Sequence, residues 1–280
     1  MPTLIEVYKK AIFELENPRK DEINIRILLC YINNLHTMTD FYLHENDEIK
    51  DHKKFLELYK KYLVGFPVQY LINSAYFYKR DYYVDDRVLI PRMETEEVVE
   101  FAINKIKEKH GKNPVNILDC CCGSGCIGVT IAKEISNSSV VFSDISKDAI
   151  DVAKMNAKYH KVDAEFLLGN ALLPSVELNK KYHAIIANPP YIINRDDVDK
   201  STANFEPQLA LYANWDLLVY QRIMEYAKDV LLPGGFIVFE IGYDIVDRLR
   251  DIVGYYLPDS NYSFYKDING KYRIMYIEVN

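Results

Sequence analysis

The tetrapeptide Asn188-Pro189-Pro190-Tyr191 joins two hydrogen-bond acceptors to an aromatic ring, directly after a predicted strand. Its prolines restrict the backbone and lack N–H donors, so the acceptors are the Asn188 side-chain oxygen and the Pro189 carbonyl oxygen. Two acceptors beside the flat face of Tyr191 suit a planar –NH2 group. Hydrogen bonds from both N–H protons could hold this nitrogen partly pyramidal and aim its lone pair at an electrophilic methyl group. The alternative interpretation is a turn that only ends the strand.

A second group of residues has the spacing of a nucleotide-cofactor turn. Residues 123–128 read Gly-Ser-Gly-Cys-Ile-Gly between a predicted strand and a predicted helix, and Asp144 ends the next strand. Glycine lets the backbone approach a ligand closely, and a carboxylate on the second strand can accept both ribose hydroxyls. Nicotinamide dinucleotides and S-adenosylmethionine share these features. Asp119 favours S-adenosylmethionine, because a carboxylate before the turn would repel a pyrophosphate and could meet a charged amino group through water or a backbone amide. A glycine turn without a ligand is the remaining alternative.

The elements that must position these residues form two parts. Residues 1–75 carry helical apolar spacing, with Asp21 as a candidate cap of the second helix, and predict a small helical domain. Residues 76–90 predict a β-hairpin connector, with strands at 76–78 and 82–84. Residues 91–280 alternate strands and helices, with a long helix at 217–232, and end in an antiparallel strand pair. Alternation of this kind predicts an α/β, Rossmann-like domain, with seven strands at residues 115–118, 140–142, 164–168, 184–187, 235–240, 263–265 and 273–278.

Composition excludes several classes of protein. The chain has 280 residues, of which 49% are hydrophobic and 27% charged, so it is neither disordered, collagen-like nor a coiled coil. It has no apolar run of membrane-spanning length, and residues 1–6 do not begin a signal peptide, so we expect no membrane association. A net charge of −7 argues against binding nucleic acid by bulk electrostatics.

Cysteine usage indicates a reducing compartment. Of the five cysteines, four lie at positions 120, 121, 122 and 126, whereas a secreted disulfide framework would space them apart. A zinc site is the alternative, but adjacent strand residues point to opposite faces and paired C-x-x-C knuckles are missing. We therefore expect small buried side chains, no metal site and a cytoplasmic location.

Taken together, these motifs resemble the release-factor glutamine methyltransferases over essentially the whole chain. The tetrapeptide alone is shared with adenine and RNA methyltransferases, so the helical N-terminus and the segment Ile90-Pro91-Arg92-Met93-Glu94-Thr95-Glu96 narrow the choice. The chain departs from the family pattern at Phe66, where an acid is usual, at Cys121, where many members have glycine, and at Asn170-Ala171 near the adenine position. The similar segments are residues 65–71, 90–96, 119–127, 188–191, 205–207, 210–211, 233–235, 240–242 and 267–273.

The resemblance implies methylation of the glutamine amide in the Gly-Gly-Gln motif of class I peptide-chain release factors. It implies S-adenosylmethionine as the methyl donor, with S-adenosylhomocysteine as product, and N-terminal helices that contact the release factor. We expect a monomer that does not bind nucleic acid directly. Arg92, Glu94 and Glu96 are either site residues or ordinary helix-start charges. The expected catalytic residues are Asn188, Pro189, Pro190 and Tyr191, and the expected cofactor-binding residues are Asp119, Cys121, Cys122, Gly123, Ser124, Gly125, Asp144, Asn170 and Asn188.

Three competing functions remain open from the sequence. An adenine methyltransferase acting on DNA or RNA would share the turn and the tetrapeptide, but it would need phosphate contacts and a target-recognition region. A nicotinamide-dependent oxidoreductase would use the same glycine turn and leave the tetrapeptide without a role. A non-catalytic binding protein would leave the pair of acceptors at Asn188 and Pro189 unexplained.

Overall fold

The computed structural model describes residues 1–15 and 18–280, which group by their contacts into two compact units. The first unit comprises Met1–Asn73 and Lys200–Phe205, and the second comprises Ser74–Asp199 and Glu206–Asn280. The segment predicted as a connector, residues 76–90, therefore groups with the second unit. The first unit also takes in a short segment that is distant in sequence, which the chain pattern does not reveal.

The first unit is helical, with helices numbered here in chain order. Thr3 and Thr37 each form a capping box with the acid three residues later, and Asp51 caps a further helix. Asp21 is not a cap as predicted, because the second helix begins earlier, at Pro18, which suits the first helical turn. The helices are α1 (Leu4–Phe13), α2 (Pro18–Asn33), α3 (Met38–Leu43), α4 (His52–Leu63), α5 (Val68–Ile72) and α10 (Lys200–Phe205).

The short helix α10 packs within this unit. The Phe205 ring lies 5.0 Å from that of Phe66, centroid to centroid, and the Ser201 hydroxyl donates to the Gly65 carbonyl at 2.6 Å. Phe66, the position where the family pattern has an acid, thus supplies an apolar contact to α10.

The second unit begins with a tight β-hairpin. Strands β1 (Ala75–Phe77) and β2 (Arg80–Tyr82) pair antiparallel around a two-residue turn at Tyr78 and Lys79. Both turn residues have positive φ, 44° and 65°, as hairpin turns that match the strand twist require. The predicted pairing of 76–78 with 82–84 was wrong in register, because the aromatic residues suggested a longer loop than the chain uses.

A seven-stranded sheet forms the body of the second unit, as predicted. Its strands are β3 (Val115–Cys120), β4 (Ser138–Asp144), β5 (Glu165–Leu168), β6 (Tyr182–Ala187), β7 (Leu231–Glu240), β8 (Asn261–Lys266) and β9 (Tyr272–Glu278). They lie in the order β5-β4-β3-β6-β7-β9-β8, in which the first five are parallel and β9 pairs antiparallel with both β7 and β8. The chain leaves β3 toward β4 and β5 and returns on the other side at β6, so the strand order reverses between β3 and β6. Ligands bind at such reversals, outside the carboxyl ends of the strands.

Helices cover both faces of this sheet. Ile117 and Leu118 are fully buried in two different apolar clusters, because consecutive strand residues point to opposite faces. The prediction of one long helix at 217–232 is wrong. The observed helix breaks at Tyr226, and Leu231 pairs with Tyr182 as the first residue of β7. The remaining helices are α6 (Met93–His110), α7 (Cys126–Glu134), α8 (Lys147–Tyr159), α9 (Leu173–Glu177), α11 (Gln208–Leu211), α12 (Leu218–Glu225), α13 (Ala227–Val230) and α14 (Val246–Tyr256).

Candidate active site

A cavity opens at the strand-order reversal of the second unit. The loop after β3, the end of β4 and the segment after β6 form its floor, and two stretches near residues 90 and 209 form its outer wall. Of the predicted site residues, it is lined by Cys121, Cys122, Gly123, Ser124, Asp144, Asn170, Asn188 and Pro190. Asp119, Gly125, Pro189 and Tyr191 are not among its lining residues.

The loop after β3 turns sharply to bring its backbone to the cavity. Cys121, Gly123 and Gly125 all have positive φ, of 61°, 51° and 77°. Gly125 begins α7 and packs so closely that an added Cβ would lie 3.1 Å from the Ala153 Cβ of α8. Its role in this structure is therefore close packing of the loop. Cys121 adopts the left-handed conformation that glycine favours, which is the physical basis of the family preference noted above.

Asp144 holds the cofactor loop and also faces the cavity. One carboxylate oxygen accepts the Gly123 N–H at 3.0 Å, and the other accepts the Ser146 N–H at 2.9 Å. Burial raises the pKa of this carboxyl, and the two N–H groups oppose that rise. Each oxygen keeps a second lone pair, so the group can still accept two hydroxyl protons. This geometry supports the predicted ribose contact.

The donor set of the cavity fits S-adenosylmethionine. The Ser143 hydroxyl lines it, is buried and has no hydrogen-bond partner among residues 1–15 and 18–280, so a polar ligand group could satisfy it. Asp144 supplies two acceptors for ribose hydroxyls beside it. No group of three or more His, Cys, Asp or Glu side chains in the described parts of the chain is placed to hold a metal ion.

Asp119 lies in a different place from the one its motif predicts. Its side chain is fully buried behind the loop, where one carboxyl oxygen accepts the Gly128 N–H at 2.8 Å and the other has no partner among the described residues. Burial raises the pKa of Asp119 to about 8. The group is therefore protonated at neutral pH and anchors the start of α7, and it does not line the cavity.

The raised pKa of Asp119 predicts a pH dependence of stability. Unfolding returns the pKa to its ordinary value of 3.8, so between about pH 4 and pH 8 the folded chain holds a proton that the unfolded chain releases. Stability from this group therefore falls as pH rises, by up to about 1.4 kcal/mol per pH unit. Asp119→Asn keeps an acceptor for Gly128 and removes the titration. In urea unfolding between pH 5 and 8, we expect the variant to gain stability relative to the wild type as pH rises; parallel pH curves would contradict this assignment.

The two predicted acceptors of the tetrapeptide after β6 differ in burial and in hydrogen bonding. Asn188 lines the cavity, and among the described residues no hydrogen bond engages its side chain. Pro189 is buried, and its carbonyl oxygen lies 3.5 Å from the Tyr220 hydroxyl, which makes a shorter bond of 2.7 Å to the Glu240 carbonyl. The Asn188 amide oxygen is thus available to a ligand, and the Pro189 carbonyl has only one long contact.

Tyr191 faces away from the cavity into a polar network. Its hydroxyl donates to the Glu240 carboxylate at 3.3 Å and accepts from the Arg273 guanidinium at 3.4 Å. Burial raises the pKa of this phenol well above its ordinary value, so it stays protonated. The structure therefore places the Tyr191 ring behind the cavity wall, and the stacking face predicted for it is not exposed to the cavity.

An ion pair between a buried carboxylate and a partly exposed guanidinium joins the two stretches of the outer wall, and motif spacing does not reveal it. The Glu206 side chain is 1% exposed; one oxygen pairs with the Arg92 guanidinium at 2.5 Å and the other accepts the Ile90 N–H at 3.0 Å. Arg92 and Pro207 both line the cavity. Arg92 is therefore a wall residue and more than a helix-start charge. The sequence contains one indication of this contact: both segments are among those that resemble the family.

Comparisons with known proteins agree with this geometry. The family model described as "Methyltransferase small domain" matches residues 98–256. A protein of Staphylococcus aureus named release factor glutamine methyltransferase is 36% identical over 244 residues, 85% of this chain and 86% of its own length. A protein of the same name in Bacillus subtilis is 35% identical over 281 residues, covering 98% and 96%.

Solved structures confirm the Rossmann-like methyltransferase fold. A ribosomal protein L11 methylase from Lactobacillus delbrueckii superposes with a TM-score of 0.50 at 16% identity, over 70% of this chain and 84% of its own. A methyltransferase from Pyrococcus furiosus superposes with a TM-score of 0.51 at 13% identity, over 72% and 90%. At these identities the likeness is one of fold.

Proposed function

The chain belongs to the release factor glutamine methyltransferases, and from that premise we propose how its residues methylate the glutamine amide in the Gly-Gly-Gln motif of class I release factors. The observation that carries the proposal is Asn188, which lines the same cavity as residues 121–124 and whose side chain has no hydrogen-bond partner among residues 1–15 and 18–280. The methyl donor is S-adenosylmethionine and the product is S-adenosylhomocysteine.

The residues divide into cofactor-holding and substrate-holding groups. Asp144 would accept the ribose hydroxyls of S-adenosylmethionine, and the backbone of residues 121–124 together with Asn170 would hold the rest of the cofactor. The bound cofactor supplies an electrophilic methyl group. Asn188 accepts one proton of the glutamine –NH2 group and the Pro189 carbonyl accepts the other, which holds the nitrogen with its lone pair directed at that methyl group. Because the methylated nitrogen is strongly acidic, no strong base is needed to remove its extra proton.

A labelled-methyl assay tests the reaction and the substrate class together. The full chain is incubated with radiolabelled S-adenosylmethionine and, separately, with release factor, DNA or RNA. We expect label on the release factor, lost when the glutamine of its Gly-Gly-Gln motif is replaced by asparagine, whose amide sits one methylene closer to the backbone. Label on DNA or RNA with none on the release factor would overturn the proposal.

The location and assembly of the protein follow from the same proposal. No helix in residues 1–15 and 18–280 has both the length and the apolar character to cross a membrane. We propose that the protein acts in the cytoplasm, where its substrates work, and that it acts as a monomer, because one chain supplies the loop, the tetrapeptide and the outer wall of the cavity.

We also propose that the helical unit selects the protein substrate, as the resemblance implies. It forms a separate compact unit and exposes large apolar side chains, including Leu43 and Val64, each 74% exposed. Single exposed apolar side chains are common on protein surfaces, so the resemblance carries this proposal and these two residues are the positions chosen to test it.

The helical unit is expected to affect KM for the intact protein substrate. Replacing both Leu43 and Val64 with serine should raise KM for release factor by roughly fivefold or more, since anchor residues of an interface contribute upward of about 1 kcal/mol. Turnover of a short Gly-Gly-Gln peptide should not change. Leu178→Ser, an exposed leucine in the other unit, is the matched control. Equal KM values for the double variant and the wild type would contradict a contact at these residues.

A further inference from the structure

A buried carboxylate at the end of β7 links two elements beside the cavity. Glu240 is 1% exposed. Its Oε2 accepts the hydroxyl of Thr95 on α6 at 2.6 Å, and its Oε1 accepts the hydroxyl of Tyr191, the last residue of the tetrapeptide, at 3.3 Å. Thr95 lines the cavity. The carboxylate thus holds a residue of the cavity wall with one oxygen and the tetrapeptide with the other.

The charges around Glu240 favour its ionised form in this arrangement. Both hydroxyl partners donate to it, and Arg273 supplies the opposite charge nearby, itself paired with Asp267 at 3.4 Å. Burial raises the pKa of Glu240, and the like charge of Glu94 adds to that rise, whereas the two hydroxyl donors and Arg273 oppose it. A buried carboxylate costs free energy unless its partners satisfy it, so the two donors and the guanidinium are what allow it at this position.

A second observation shows that the position of Tyr191 is closely determined. Its ring lies close to Gly242, where an added Cβ would stand 2.8 Å from the Asp244 Oδ1 atom and 3.1 Å from the Tyr191 Cδ2 atom. Glycine at this position therefore lets the ring approach the backbone just beyond β7. The phenol is bound on one side by Glu240 and Arg273, and the ring is bounded on the other by residue 242.

We propose that Glu240 is a positioning residue for methyl transfer: by binding Tyr191 and Thr95 at once, it sets the tetrapeptide against the cavity wall. The inference rests on the proposed function, because the groups it orients are Asn188 and Pro189 of the same tetrapeptide. Catalysis by held acceptors is sensitive to displacements of about 1 Å. Glu240 would therefore affect the rate of the chemical step while leaving the cofactor contacts at Asp144 unchanged.

Glu240→Gln tests this directly, because the amide keeps the size and one acceptor but turns an N–H toward one of the two hydroxyl donors. We expect single-turnover methylation of release factor to fall about tenfold or more, with the Kd for S-adenosylmethionine within twofold of the wild type. Tyr191→Phe, which removes only the phenol oxygen, should lower the rate by a similar factor. If Glu240 acts through Tyr191, the double variant should be no slower than the slower single variant; losses that multiply would overturn the proposal.

Gly242→Ala tests the same role while Glu240 is retained. Its result therefore does not depend on whether the Glu240→Gln variant folds. The added methyl group would meet the Asp244 carboxylate at 2.8 Å and the Tyr191 ring at 3.1 Å. The carboxylate can rotate aside, whereas the ring must shift as a rigid group, so we expect the methylation rate to fall about threefold or more, with cofactor Kd unchanged. Gly254→Ala is the matched control, because a Cβ there meets nothing within 4 Å, and it should leave the rate unchanged. A wild-type rate in Gly242→Ala would overturn the positioning role.

Failure of this inference and failure of the proposed function can be told apart. If the wild type does not methylate release factor, the proposed function fails. The coupling of Glu240 and Tyr191 is then read from the unfolding midpoints of the two single variants and the double variant, which need no substrate. If the wild type is active and midpoints and rates are additive, only the positioning role fails.

Discussion

Asn188→Ala is expected to lower the single-turnover rate of glutamine methylation by on the order of a hundredfold or more. Asn188 lines the cavity, and its side chain has no partner in the described part of the chain, so its removal costs little in the folded state and takes away one acceptor for the reacting –NH2 group. Because that acceptor is aligned with the reacting nitrogen, the loss should fall on kcat more than on the Kd for S-adenosylmethionine. Rapid-quench measurement of methyl transfer, with Kd by calorimetry, separates the two.

Asn188→Asp is a second and more informative variant at the same position. It keeps the size and an acceptor oxygen, but adds a negative charge near the cationic methyl donor. We expect cofactor binding to be kept or tightened while turnover falls, because the charge stabilises the ground state as well as the transition state. If Asn188→Ala transferred methyl groups at the wild-type rate, the tetrapeptide would be only a turn and the proposed mechanism would be wrong.

The sheet was predictable because its signals are local and strong. Each parallel strand is a short apolar run bounded by glycine or polar residues, and the alternation with helices dictates parallel pairing. The short helices α5, α9 and α11 were not predicted, because four or five residues show too little of a helical period. The end of the helical segment at Val230 is set by the pairing of Leu231 with Tyr182, a long-range contact that local periodicity cannot contain.

The floor of the candidate site was predictable for a related reason. Asn188, Asp144 and the loop after Cys120 each follow a strand, and the carboxyl ends of parallel strands meet at one edge. The outer wall is different, because it depends on the Arg92–Glu206 ion pair between segments far apart in sequence. The resemblance to a family was the only sequence feature that identified these two segments, and it did not predict that they contact each other.

Asp119 and Asp144 show that a sequence motif does not predict which of its acidic side chains lies in the cavity. Both acids flank the same glycine turn, and the sequence assigned both to the cofactor. In the structure Asp144 lies at the cavity, whereas Asp119 points behind the loop to the Gly128 N–H. The difference depends on how each side chain is oriented at the end of its own strand, Asp119 on β3 and Asp144 on β4. Sequence spacing does not encode it.

The second large effect is therefore expected at Asp144. Asp144→Ala should weaken binding of S-adenosylmethionine by about 1–3 kcal/mol, roughly 5- to 150-fold in Kd, through the loss of charge-assisted hydrogen bonds to the ribose. It also leaves the N–H groups of Gly123 and Ser146 without their acceptor, which loosens the loop that lies along the cofactor. Calorimetric titration of the full chain measures the change.

Asp148→Ala is the matched control for charge, since Asp148 is exposed in the first turn of the same helix that follows Asp144. It should leave the Kd within twofold of the wild type. Titration with NAD in parallel separates the two cofactor classes, and we expect heat only from S-adenosylmethionine. If Asp144→Ala bound S-adenosylmethionine with wild-type affinity, the Asp144 carboxylate would not be part of the cofactor site. Heat from NAD alone would show that the acid at the end of β4 serves a dinucleotide, because the glycine turn and this acid are the features that both cofactors can use.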